Sequence, residues 1–188
     1  MIQLTKGQEW PLTSDDGQPL TRLQVGLGWD KIPTAGAMGT GAPDVDLDAS
    51  AVAFANRELG DLAFYNNLQF RDGSVVHLGD NLTGKGSGDD EVLSVDLTKV
   101  HPQIDTVFFL VSSYHGHTFE WIHNAYVRLV DEHDVELARY TLTGGLSQTG
   151  LVLAKIFRDG GGWTIRAIGE GIAVKLPTES VRALTPYL

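Results

Sequence analysis

The sequence contains no cysteine, so it has no disulfide framework and no cysteine nucleophile. It also lacks any run that approaches the ~18 apolar residues of a membrane span. The N-terminal residues, from Met1 to Lys6, do not form the apolar core of a signal peptide. We therefore expect a cytoplasmic protein with no membrane span.

Positive charge is scarce, with 14 lysine and arginine residues against 24 aspartate and glutamate residues. The resulting net charge of -10 argues against nucleic acid as a direct partner and, equally, against an electrostatic site for an oxyanion. A hydrophobic content of 42% excludes a disordered or fibrous protein. The 188 residues suffice for one buried core, so we expect a single domain over residues 1–188.

The negative charge is unevenly distributed along the chain. Residues 30 to 96 contain 12 of the 24 acidic residues but only four basic ones, so about a third of the chain has eight units of the net negative charge. Like charges concentrated in this way repel one another unless a cation lies among them. The distribution favours a cation site.

Glycines and oxygen-bearing side chains alternate densely between Gly79 and Glu91. Glycine allows backbone conformations that let peptide carbonyls point inward beside the carboxylates. An all-oxygen ligand set suits Ca2+ or Mg2+ rather than Zn2+ or Cu2+, and a flexible loop tolerates the six to eight ligands of Ca2+ more easily than a strict octahedron. The loop predicts a calcium site that includes the carboxylates of Asp80, Asp89, Asp90 and Glu91.

Two familiar loop motifs do not fit this segment. An EF-hand starting at Asp80 would have Leu82 at position three and Lys85 at position six, where glycine is required. A phosphate-binding loop would need Gly-Lys-Ser/Thr after a strand and positive potential, whereas acidic residues close this segment. A solvated acidic hairpin loop is the remaining alternative.

A second acidic motif lies on a predicted strand from Asp46 to Phe54. Alternation puts Asp46, Asp48 and Ser50 on one face of this strand, so two carboxylates stand side by side. They form either part of a cation site or an ordinary exposed polar face. Asn66 and Asn67 follow the next short strand and either contribute amide oxygens to the same site or simply make a turn.

Short segments of period-2 alternation recur along the whole chain, and helical periodicity is almost absent. We expect an all-β fold, an antiparallel β-sandwich of about nine strands. The continuous apolar run from Thr106 to Val111 predicts a buried central strand. A short C-terminal helix is expected from Pro177 to Leu184, with Thr178 as its N-cap.

An enzymatic role rests on few residues. His77, and the pair His115 and His117, could act as bases or ligands, and paired carboxylates could serve a metal-dependent hydrolase acting on a phosphate or sugar. However, the sequence has no nucleophile elbow, zinc-protease helix motif or phosphate-binding loop. We expect a binding module rather than an enzyme and keep the hydrolase as the alternative.

The motifs resemble those of the TerD family of bacterial tellurite-resistance and stress-response proteins. In chain order they are Gly28-Trp29-Asp30, Asp46-Leu47-Asp48-Ala49-Ser50, Phe64-Tyr65-Asn66-Asn67, Gly79-Asp80-Asn81-Leu82-Thr83-Gly84, Gly88-Asp89-Asp90-Glu91, Asn124-Ala125-Tyr126-Val127-Arg128 and the segment from Trp163 to Gly171. The family pattern differs in two places, a Gly/Pro-rich insert at 31–44 and Ser87 in the glycine loop.

This resemblance implies a calcium-binding β-sandwich with no established catalytic activity, and we expect calcium and other stress-response proteins as its partners. It also implies the ligands, which are all oxygen-bearing: Asp30, Asp46, Asp48, Asn66, Asn67, Asp80, Asn81, Asp89, Asp90 and Glu91. Because this set exceeds what one ion can use, we expect two neighbouring calcium ions.

Overall fold

In the part of the chain that the structure describes, twelve strands form two six-stranded sheets. The computed structural model describes residues 1–14, 16–31, 47–79, 88–113, 116, 118–142 and 145–188, with the backbone alone at 30, 31 and 121–123. The strands are β1 (Ile2–Leu4), β2 (Glu9–Pro11), β3 (Arg22–Lys31), β4 (Leu47–Ala55), β5 (Glu58–Ala63), β6 (Val75–His77), β7 (Glu91–Asp96), β8 (Thr106–Ser113), β9 (Ile122–Val130), β10 (Glu136–Leu142), β11 (Gly150–Asp159) and β12 (Gly162–Ile172).

The first sheet has the order β1-β10-β9-β3-β7-β6, and the second has the order β2-β12-β11-β8-β4-β5. This confirms the predicted all-β sandwich, although the expected number of strands was too low. Strands β1 and β2 have three residues each, too few to show an alternating pattern. Strand β1 pairs in parallel with β10, whereas the other strand pairs in the described part of the chain are antiparallel.

The two sheets enclose one large apolar core. Strand β8 lies between β11 and β4 in the second sheet, and all eight of its residues are buried, as the apolar run predicts. Leu27, Leu93 and Phe109 are fully buried members of the core between the sheets. Alternation along each strand decides which side chains face this core and which face outward.

The outer face of the second sheet is covered by the C-terminal segment. Val52, Phe54 and Phe108 point away from the first sheet and form a second apolar cluster with Val174 and Leu184. Because both of its faces are covered, β4 is buried from Leu47 to Phe54. Polar residues on β4 therefore lie in the protein interior.

The C-terminal helix α1 (Ser180–Leu184) is shorter than expected, and Thr178 is not its N-cap. Thr178 lies inside a preceding 3-10 turn, Pro177–Glu179. Instead, the carboxylate of Glu179 accepts the N–H groups of Lys175 and Leu176 at 3.0 and 3.3 Å. Among the described residues, no helix is long and apolar enough to cross a membrane.

Candidate metal centre

Several chain segments meet at one end of the sandwich, and hydrogen bonds connect them. The N–H of Asp90 donates to the carbonyl of Leu27 at 2.9 Å, and the N–H of Trp29 donates to Asp90 Oδ2 at 2.9 Å. The N–H of His77 donates to the carbonyl of Leu68 at 2.7 Å. The end of β3, the start of β7, the end of β6 and the turn after β5 are thus neighbours.

Glu91 connects the two sheets at this end. Alternation on β7 directs its side chain inward with those of Leu93 and Val95, and Glu91 is 2% exposed. Its Oε2 accepts the N–H of Ala49 on β4 at 2.5 Å. Strand β5 pairs with β4 only from Ala51 onward, so the Glu91 carboxylate takes the place of a strand partner for Ala49.

His77 holds the same carboxylate from the neighbouring strand. The imidazole Nε2 lies 3.2 Å from Glu91 Oε2, and both side chains are buried. Because Nδ1 accepts the N–H of Gly79 at 3.3 Å, the proton belongs on Nε2, which donates to Glu91. Both ring nitrogens are therefore used, and His77 orients Glu91 in this arrangement.

Asp90 is 8% exposed and fixed by the backbone of β3 through its bond to Trp29. The indole Nε1 of Trp29 is buried and has no hydrogen-bond partner among the described residues. A buried N–H without a partner is uncommon in native structures. Trp29 thus gives the core a buried polar atom that no described residue satisfies.

A second buried polar group lies on the outer face of the second sheet. Asp48 points to the same side of β4 as Val52, and its cross-strand neighbour on β8 is Ser112. Asp48 is 5% exposed, while Ser50 and Ser112 are fully buried. The hydroxyls of Ser50 and Ser112 have no hydrogen-bond partner in the described part of the chain. The Asp48 carboxylate is therefore not part of an exposed polar face.

Asp89 lies apart from the buried acids, on the outer face of the first sheet. Its Oδ1 accepts the Nε–H of Arg128 at 2.6 Å and the hydroxyl of Tyr126 at 3.0 Å. The carboxylate rests over Gly26, where any side chain would overlap it, and the Tyr126 ring rests over Gly28 in the same way. Because these two alternate positions of β3 are glycines, there is room on the sheet surface for the carboxylate and the ring.

A network of charged side chains continues from this pair across β9 and β10. Arg128 also binds Glu136 at 3.2 Å, and Arg139 binds both oxygens of Glu136 at 2.7 Å while stacking on Tyr126 at 4.3 Å. Burial, together with the Asp89 carboxylate, raises the pKa of Tyr126 to about 12. The hydrogen bond to Asp89 raises the pKa of Arg128, and the one to Arg139 lowers that of Glu136.

Sequence reasoning missed the role of Tyr126 and Arg128. In the sequence they belong to a motif that carries only the resemblance to a family. The available signal was the pair Gly26 and Gly28, since two alternate glycines on one strand predict that a neighbouring side chain lies close to the backbone.

The asparagine pair occupies a tight turn. Phe64 and Asn67 exchange backbone hydrogen bonds of 2.9 Å, and the side-chain amide of Asn67 donates to the carbonyls of Leu62 and Gln69 at 2.5 and 3.2 Å. Asn66 and Asn67 are both exposed. Asn67 thus makes the turn that was the alternative to a ligand role.

The remaining predicted ligands lie outside what is described. Asp46, Asp80 and Asn81, like His115 and His117, fall outside the described residues, and only the backbone of Asp30 is described. Within the described part, no three carboxylate or imidazole side chains come close enough together to hold a metal ion by themselves. Any complete coordination sphere would need residues from the undescribed segments.

The sequence matches the model of the TerD domain over residues 1–178. The chain belongs to the TerD family. This confirms the resemblance found in the motifs.

Curated TerD relatives have names that refer to resistance and stress. The tellurium resistance protein TerZ of Serratia marcescens is 39% identical over 174 residues, which is 90% of each chain. The stress response protein SCP2 of Bacillus subtilis (strain 168) is 40% identical over 184 residues, 90% of this chain and 92% of that protein. None of these names describes an enzyme.

Two solved structures share the fold. A crystal structure of a protein of unknown function, SAV2460, superposes with a TM-score of 0.72 at 22% identity and covers 89% of this chain and 98% of its own. A Streptomyces coelicolor A3(2) homologue of the telluride resistance protein TerD gives 0.67 at 24% identity and covers 86% and 95%. At these identities the likeness establishes the sandwich and nothing more specific.

Proposed function

We propose that this TerD protein is a calcium-binding module of a bacterial stress response that acts by metal-dependent structure and partner binding rather than by catalysis. The observation that carries the proposal is the burial of three carboxylates at one end of the sandwich. Asp48, Asp90 and Glu91 are each at most 8% exposed. A buried carboxylate needs hydrogen bonds or a cation to compensate its charge, and the chain segments next to these residues in sequence contain the other predicted ligands.

The chemistry of the available atoms fits a hard cation. Carboxylates, the hydroxyls of Ser50 and Ser112, and backbone carbonyls are all oxygen ligands, which Ca2+ and Mg2+ prefer over Zn2+. The two hydroxyls are buried without a hydrogen-bond partner in the described residues, so an ion or its water would satisfy them. We favour Ca2+ because glycine-rich segments accommodate its variable coordination.

The proposed ligands are those predicted from the sequence, except Asp89 and Asn67. Asp30, Asp46, Asp48, Asn66, Asp80, Asn81, Asp90 and Glu91 remain the proposed ligands, enough oxygen atoms for two ions. Asp89 is assigned instead to positioning, because Arg128 and Tyr126 hold its carboxylate against the outer face of the first sheet. Asn67 is a weaker candidate because its amide nitrogen holds the turn.

The stress-response role is supported by the names of the relatives, which include tellurium resistance and general stress proteins. We propose a cytoplasmic site of action and partners among other stress-response proteins. The hydrolase alternative has little support among the described residues, since both ring nitrogens of His77 are engaged in hydrogen bonds.

Calorimetric titration of the metal-free protein with calcium, in millimolar magnesium, tests the binding step. We expect saturable binding with a stoichiometry near two, reduced in number or affinity by D48N and by D90N. The matched control is D131N, because Asp131 lies in the remote turn between β9 and β10, where its Oδ1 accepts the N–H groups of His133 and Val135. Equal affinity for magnesium, or unchanged titrations for both ligand variants, would refute the proposal.

A growth assay tests the biological role. A bacterial strain deleted for its own TerD proteins should regain tellurite tolerance when it expresses this chain, and D48N should rescue it less than D131N at equal protein levels. Equal rescue by all variants would show that tellurite tolerance does not depend on calcium binding.

A further inference from the structure

A cavity of about 250 Å³ lies between the outer face of the second sheet and the C-terminal segment. It is far in sequence from the acidic third of the chain. Lys6 and Gly7 line it from the turn after β1, Lys155 from β11, Arg166 and Glu170 from β12, and residues 186–188 from the C-terminal segment.

Lys155 is a buried cation with few acceptors. It is 9% exposed, and its Nζ donates to the carbonyl of Tyr187 at 2.5 Å. No carboxylate among the described residues forms an ion pair with it, although an ammonium group has three N–H donors. Phe108 and Phe157 lie 5.8 and 5.2 Å from the Nζ and offer only ring faces. At least one donor is therefore available to a ligand.

Arg166 brings a second positive charge to the same cavity. It lies directly opposite Lys155 in the β11–β12 register. Its contact with Glu9, 3.7 Å from Nη1, involves side chains that are about half exposed, so little of its charge is neutralised. Like charges directly opposite each other in a sheet are destabilising unless an anion lies between them.

The acidic residue that lines the cavity does not neutralise Lys155 or Arg166. Glu170 is the acidic residue of the lining, and its carboxylate pairs with Lys6 at 2.5 Å. Among the described residues, Lys155 has no carboxylate within ion-pair distance, and Arg166 has only the half-exposed Glu9, at 3.7 Å. Burial, and then the charge of Arg166, lowers the pKa of Lys155, while the carboxylates of Glu9 and Asp105 act in the opposite direction.

We propose that this cavity binds a small oxyanion with two negative charges, held by the ammonium of Lys155 and the guanidinium of Arg166. The net charge of -10 argues against an oxyanion site in the protein as a whole. However, eight of those negative units belong to residues 30–96, and none of these residues lines the cavity. The site is independent of the proposed calcium centre. A planar guanidinium offers two parallel donors to an oxyanion, and the lysine adds a point charge.

Titration with inorganic phosphate near pH 7.5, followed by NMR at constant ionic strength and with a metal chelator present, tests the proposal. We expect saturable one-to-one binding, with the largest shifts at residues 155, 166 and 187. K155M and R166Q should each weaken binding at least tenfold. K175M is the matched control, since Lys175 is exposed and does not line the cavity.

The outcomes separate the proposal from its alternatives. Absence of saturable binding, or equal affinity of wild type and R166Q, would overturn it. R166Q keeps the test valid if K155M does not fold, because the Arg166 side chain is about half exposed. Equal affinity for acetate and phosphate would overturn the preference for a dianion and indicate a carboxylate ligand instead.

Discussion

The Nε of Arg128 lies 2.6 Å from Oδ1 of Asp89, the residue immediately before Asp90 and Glu91. This ion pair fixes the chain on one side of the sheet just before it enters β7. The next two residues, Asp90 and Glu91, are buried at the end of the sandwich where we propose that calcium binds. One short segment, residues 89–91, thus contributes both to the outer face of the first sheet and to the candidate metal centre.

Replacing Arg128 by methionine should lower the free energy of unfolding by about 1–3 kcal/mol, because it leaves the Asp89 carboxylate, only 9% exposed, without its charged partner. Calcium affinity should fall as well, since Asp89 no longer positions Asp90. Urea denaturation without metal and a calcium titration measure the two effects.

The control for this variant is R22Q. Arg22 pairs with Asp96 at 3.3 Å, but its side chain is 66% exposed, so the loss should be less than about 1 kcal/mol. Calcium affinity should not change. If R22Q lowered the free energy of unfolding as much as R128M, the ion pair of Asp89 would contribute no more to stability than an exposed one.

Gly26→Ala should break the Asp89 contact from the opposite side, because the added methyl group would overlap the carboxylate. We expect a destabilisation of about 1–3 kcal/mol. In a D89A background, where the overlapping atoms are gone, the same substitution should cost much less. Full additivity in this double-mutant cycle would contradict the packing described here.

Calcium should stabilise the protein by mass action if it binds the folded state alone. At 100 times its dissociation constant it should add about 2.7 kcal/mol to the free energy of unfolding, which raises the melting temperature by several degrees. Hydrogen exchange should also slow between residues 79 and 91. Binding without a change in exchange there would mean that the ion does not order this segment.

Stability should fall in acid partly through Glu136. Its hydrogen bonds to Arg139 and then to Arg128 hold the pKa of this carboxyl below its ordinary value of 4.5. As the pH falls from 4.5 through the lower folded pKa, the unfolded chain takes up the proton first, so this contribution is present above pH 4.5 and lost below it.

The E136Q variant should therefore show a shallower fall in unfolding free energy between pH 5 and pH 3 than wild type. E132Q is the control, because Glu132 is exposed and its contact with His133 is long at 3.9 Å. Identical slopes for wild type and E136Q would show that Glu136 is not held by its arginine partners.

Much of the candidate site could be predicted from the sequence because its acidic residues are local. Asp89, Asp90 and Glu91 are consecutive, and period-2 alternation alone assigns Asp48 and Ser50 to one face of a strand. The sequence did not separate Asp89 from Asp90 and Glu91. That difference depends on Tyr126 and Arg128, which are more than 35 residues away in sequence and become neighbours only through the pairing of β3 with β9 and β7.

Alternation and the shortage of helical periodicity by themselves determined an all-β sandwich, since the side-chain period of a strand is a local property. Tertiary structure decided which faces are buried. Asp48 looks like a residue of an exposed face until the second sheet and its C-terminal cover enclose β4 on both sides. Likewise, Lys155 and Arg166 become one positive site only when β11 pairs with β12, because strand register places distant residues side by side.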